Sequence, residues 1–73
     1  MSEPWRKNVF SSMVSEVAYD PAKQELMVTW AKSGKVSVYS GVPEGTALDL
    51  SNAPSVGFFI NSEIKPYFGH RYQ

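Results

Sequence analysis

Glu25-Leu26-Met27-Val28-Thr29-Trp30 is the stretch on which the fold turns. Leu26, Val28 and Trp30 share one parity and Glu25, Met27 and Thr29 the other, which is the period of a strand with one buried face. Before it stands Asp20-Pro21-Ala22-Lys23-Gln24. There Pro21 pre-sets a turn φ and the Asp20 carboxylate can bond the backbone just ahead. After it stands Lys32-Ser33-Gly34-Lys35, a second turn in which Gly34 is free to take a positive φ. A β-rich run lies beyond each turn. In residues 12–19, Met13, Val17 and Tyr19 fall on one parity and Val14 and Ala18 on the other; in Val36-Ser37-Val38-Tyr39 the two valines oppose Ser37 and Tyr39. Three short strands joined by tight turns predict an antiparallel meander.

After Gly41 the period changes. Pro43 suits the first turn of a helix, and Thr46-Ala47-Leu48-Asp49-Leu50-Ser51 can complete it. Asn52-Ala53-Pro54-Ser55 breaks that helix and starts another, whose Val56, Phe59, Ile60 and Ile64 make one apolar stripe before Pro66 ends it. A meander with an apolar face needs a cover, and two short helices supply one. The expected fold is therefore α+β: a three-stranded antiparallel meander followed by two short helices packed on one face. Residues 1–10 show no period and read as an arm, to be ordered by packing of Trp5 or Phe10; residues 11–73 read as a single domain.

The chain has 73 residues, enough for one domain with a thin core. Seven basic and seven acidic residues give zero net charge, which disfavours a partner bound mainly through its phosphates. Without cysteine there is no disulfide framework, no thiolate zinc site and no thiol nucleophile. No apolar run approaches the roughly 18 residues of a membrane span, and no secretory signal is visible at Met1.

Catalytic constellations are missing. The single histidine, His70, follows Gly69 in an aromatic tail, with no nucleophile elbow to serve, and reads as a surface side chain. Glu16, Asp20 and Glu25 bracket a hairpin turn and read as solvated charges. One histidine and no calcium-loop pattern leave too few metal ligands, and the five glycines form no phosphate-binding motif. The expectation is a protein that is not an enzyme and has no cofactor.

Candidate binding residues fall in two sets. Trp5, Arg6, Lys7 and Phe58 suit protein recognition. Trp and Arg are enriched at hot spots, and Phe58 lies about 200° from Val56 on a helical wheel, off the buried stripe. Lys32, Lys35, Lys65, Arg71 and Tyr72 suit nucleic acid, because cations interleaved with aromatic rings can hold phosphates and stack bases.

Tyr39-Ser40-Gly41-Val42-Pro43, Leu50-Ser51-Asn52-Ala53-Pro54-Ser55, Gly57, Asn61 and Ile64, with Ser11-Ser12 and Tyr19-Asp20-Pro21 upstream, resemble the KTSC domain over about residues 9–72. That family takes its name from the C-terminus of some lysyl-tRNA synthetases, and the resemblance implies an RNA- or tRNA-binding module. The departures point elsewhere. The family's Tyr-x-Tyr motif falls on Ser37-Val38-Tyr39, and its basic second helix falls on Val56, Phe58, Ser62 and Glu63, none of which is basic. Such a swap moves the surface toward protein recognition. The overall organisation, with its aromatic-bearing arm, also resembles a small phage transcription regulator that binds the host RNA polymerase. What this second resemblance implies is a non-enzymatic phage protein, monomeric when free. It would act in the host bacterial cytoplasm on the large subunits of bacterial RNA polymerase, to inhibit or redirect host transcription. RNA or tRNA binding is the alternative, and a virion or assembly component is another.

Overall fold

A computed structural model, which describes residues 3–9 and 11–73, sets five strands in one antiparallel sheet in the order of the chain. They are β1 (Trp5–Asn8), β2 (Val14–Asp20), β3 (Glu25–Trp30), β4 (Val36–Ser40) and β5 (His70–Tyr72). Between β4 and β5 come α1 (Glu44–Ser51) and α2 (Val56–Phe59), which runs on as a π-helical turn over Ile60–Ile64.

The expected meander is β2, β3 and β4. Both turns close as their residues require. The Ala22 N–H donates to Asp20 Oδ1 at 3.1 Å, and Gly34 takes a φ of +71° while its N–H donates to the Trp30 carbonyl at 2.9 Å. The strand count is corrected from three to five, and the helices precede the last strand rather than closing the chain. The two added strands are the sheet's edges, drawn from the arm and the tail. Both are short and almost wholly exposed, and charged residues are common on sheet edges, so Trp5-Arg6-Lys7-Asn8 and His70-Arg71-Tyr72 carry no buried apolar face by which to be recognised. Phe10, the other residue considered as an anchor for the arm, lies outside the described residues.

A second difference lies in β2. The pairing shifts between Val14 and Glu16, a bulge that takes in Ser15. One extra residue reverses the parity upstream of it. Val14 therefore joins Val17 and Tyr19 in the core, and Met13, just before the strand, is 45% exposed and lies against α2, its sulfur 2.8 Å from the point a side chain on Gly57 would occupy.

The face of the sheet under the helices carries Val17 and Tyr19, Leu26 and Val28, and Tyr39. Ala47 and Leu50 of α1 and Val56, Ile60 and Ile64 of the second helix close over them. Of the expected stripe, Val56, Ile60 and Ile64 are buried at i, i+4 and i+8 and Phe59 is half-buried; the Lys65 N–H donates to the Ile60 carbonyl at 2.8 Å, a five-residue closure that widens the last turn. Sheet and helix layer are joined by the Tyr19 hydroxyl, which donates to the Val42 carbonyl. Burial, with Glu44 and Asp20 adding to it, raises the Tyr19 phenol above its ordinary value, so the group stays a neutral donor through the physiological range. On the other face Val38 is only 2% exposed. Arg71 is its cross-strand partner and donates from Nη2 to Glu25 Oε2 at 3.1 Å, so one β5–β3 ion pair reaches across β4. No helix among the described residues is long and apolar enough to cross a membrane.

Candidate functional site

Two grooves gather the residues that carry chemistry. The first runs between α1 and the second helix. The Pro54 ring and the Ser55 cap fix where the second helix starts: Ser55 Oγ accepts from the Phe58 N–H at 3.3 Å. From that start, Phe58 leaves the buried stripe and stands 71% exposed at the edge of a hollow of about 510 Å³. Ala53, Pro54, Phe59 and Phe68 supply its apolar lining, and Asp49 and Glu63 are its charged residues. The π-helical turn forms part of one wall, and Ser62 Oγ donates back to the Phe58 carbonyl at 2.9 Å. Such widened turns recur at binding sites.

The second groove, about 580 Å³, opens at one end of the sheet under β4 and β5. Trp30, Tyr39, His70 and Tyr72 line it together with Lys35 and Lys65, and no carboxylate is among the lining residues. His70 lies 5.3 Å from the Tyr39 ring and edge-on to Tyr72 at 5.6 Å. Lys35 Nζ stands 5.7 Å from the Tyr72 ring centre and Lys65 Nζ 5.4 Å from that of Trp30. Burial, and secondarily the Tyr72 phenol, raises the Tyr39 phenol above its ordinary value. The groove thus combines four aromatic rings with two lysine side chains.

Trp30 anchors that groove rather than filling the centre of the core. It is half-buried, and its indole Nε1 donates to Ser37 Oγ at 2.7 Å. Ser37 is 1% exposed, so removing this partner leaves a buried hydroxyl unpaired. Trp30→Phe is therefore expected to cost about 1–3 kcal/mol. In urea the unfolding midpoint should fall with an unchanged slope; an unchanged midpoint would mean that this bond carries no net stability.

The two sequence-derived sets fare differently as constellations. Lys35, Lys65 and Tyr72 meet in the second groove, whereas Lys32 stays on its turn and Arg71 points to the opposite face to pair with Glu25. Trp5, Arg6 and Lys7 are not brought to Phe58. The Trp5 ring packs on the core, 5.8 Å from Tyr19, with its Nε1 buried and without a hydrogen-bond partner. Arg6 makes a loose, exposed ion pair with Glu16 at 3.8 Å. Lys7 Nζ donates to the Ser51 carbonyl at 2.9 Å and reaches Asn52 Oδ1 at 3.4 Å, a cation at the carbonyl end of α1. Sequence reasoning missed Asp49, Phe59, Glu63 and Phe68 as one lining, because no local spacing connects α1 with the segment after the π-helical turn. Among the described residues, no three His, Asp or Glu side chains are grouped to hold a metal ion.

A family model described as the KTSC domain matches residues 10–68. The chain belongs to the KTSC domain family. A crystal structure of a KTSC domain protein from Yersinia pestis is similar to it at 31% sequence identity, with a TM-score of 0.87 and coverage of 96% of this chain and 97% of that one. A search of curated proteins found no match. The matched residues take in β2, β3, β4 and both helices, and β1 and β5 lie on either side of them.

Proposed function

We propose that this KTSC domain acts by occupancy, as a non-enzymatic module that docks on a partner protein through the α1–α2 groove with Phe58 as anchor. The observation that carries the reading is Phe58 itself. A large aromatic side chain left 71% exposed beside an apolar hollow is costly to solvate and well placed to be covered. The overall resemblance to a phage transcription regulator makes the large subunits of bacterial RNA polymerase the partner to try first. A domain this small would regulate transcription there by blocking a contact or by favouring one polymerase conformation over another. Purified bacterial RNA polymerase titrated into the fluorescently labelled domain tests this. Saturable binding that Phe58→Ala weakens supports the reading. No binding overturns the choice of polymerase, and binding indifferent to Phe58 overturns the groove.

A second reading, RNA binding, is favoured by one observation: Lys35, Lys65 and Tyr72 converge with Trp30 and His70 in a groove without carboxylates. Bases stack on such rings while lysines neutralise phosphates. In anisotropy titrations with a labelled single-stranded RNA, the Lys35→Ala/Lys65→Ala pair should reduce the slope of log affinity against log salt by roughly 1.4, about 0.7 for each phosphate no longer neutralised. An identical slope in both proteins would remove the second groove as an RNA site.

A further inference from the structure

The α1–α2 groove carries a charge pattern as well as an apolar surface. Its titratable lining residues are Asp49 and Glu63, and no lysine, arginine or histidine lines it. They come from the two helices that form its walls, Asp49 from α1 and Glu63 from the π-helical turn. Among the described residues neither carboxylate takes part in an ion pair, although the chain forms such pairs elsewhere, at Arg6–Glu16 and Arg71–Glu25. Lys65, two residues on from Glu63, lies over Trp30 in the second groove, and Lys7 holds the end of α1. Ala53, Pro54, Phe58, Phe59 and Phe68 line the same hollow. At about 510 Å³ the hollow has room for side chains but not for a folded element.

Resting on the docking reading above, we propose that the occupant of this groove is a short cationic–apolar segment of the partner protein. One or two aliphatic or aromatic side chains seat against Phe58, Phe59 and Phe68, and flanking lysines or arginines pair with Asp49 and Glu63. Opposite charge at the rim selects the partner and speeds encounter, while the seated apolar groups supply most of the affinity. An acidic segment is rejected by the same two carboxylates, since like charges brought together across an interface are repulsive.

A random 12-residue peptide display library, panned against the full chain, tests this chemistry whatever the identity of the partner. The enriched peptides are expected to carry closely spaced apolar residues flanked by Lys or Arg. As synthetic peptides they should bind Phe58→Ala at least tenfold more weakly, and Asp49→Asn/Glu63→Gln about three- to tenfold more weakly with a flatter salt dependence. All these positions are exposed, and the melting temperature of each variant serves as the folding control. Peptides that need Phe58 but are neutral or acidic, or are indifferent to Asp49 and Glu63, overturn the cationic segment and leave the docking groove standing. Peptides that bind Phe58→Ala as well as the parent overturn both. A library that enriches nothing overturns the claim that a short segment is the occupant.

Discussion

Leu26→Ala is expected to bring the domain close to unfolding at room temperature. Leu26 is 0% exposed in the middle strand, with Tyr19 and Tyr39 as its cross-strand partners. Neither tyrosine can collapse into the gap: Tyr19 is held by its bond to the Val42 carbonyl, and Tyr39 lies against the His70 ring. Truncation of a buried leucine costs about 2–5 kcal/mol, depending on how far the site relaxes. A chain of 73 residues has about 4–11 kcal/mol in total at roughly 0.05–0.15 kcal/mol per residue. Each kcal/mol moves the melting temperature of so small a domain by about 4–8 °C, so a drop of at least about 8 °C follows. Calorimetry checks it against Met27→Ala, one residue along on the half-buried outer face, which should lose far less. Equal losses would mean that the helices cover the other face of the sheet.

Phe58→Ala is the reverse case, with a large effect on binding and little on folding. An anchoring aromatic at the centre of an interface is worth at least about 2 kcal/mol on truncation, which is roughly a thirtyfold loss of affinity. Free in solution, Phe58 is 71% exposed, so its removal opens no cavity. The Ser55 cap that starts its helix uses the Phe58 backbone N–H, which alanine keeps. The melting temperature should therefore stay within a few degrees while partner affinity collapses. A collapse of the melting temperature would place Phe58 in the core and withdraw it as an anchor.

The split between these residues is legible in the sequence. Leu26 is marked by alternation over residues 25–30, and Phe58 by its angle from Val56, because both signals are local and periodic. The edge strands are not legible, for the opposite reason. Arg6, Lys7 and Arg71 are polar residues held in strands by pairing with distant backbone, and nothing in their immediate neighbours announces it. The bulge at Ser15 hides the burial of Val14 beside Val17 and Tyr19, since a parity count assumes an unbroken ladder. The grooves are half legible. Lys35, Lys65 and Tyr72 group by residue type, and tertiary folding brings them together; the joining of Asp49 to Glu63 depends on how two helices pack.

The closing strand has a consequence for how the chain is made. The hairpins that join β2, β3 and β4 are local and can form as soon as they emerge from a ribosome, on the microsecond scale of a hairpin. Strand β5 must instead return to β4 past residues 41–69, a loop closure that waits for both helices. Until then β4 offers its unsatisfied backbone to any extended chain nearby. The Arg71–Glu25 pair spans that seam like a clasp, and a nascent chain stalled before residue 70 has neither clasp nor final strand. Truncation from this end should therefore give aggregation-prone polypeptide rather than a smaller working domain, and removal of the three residues of β5 is enough to leave the seam open.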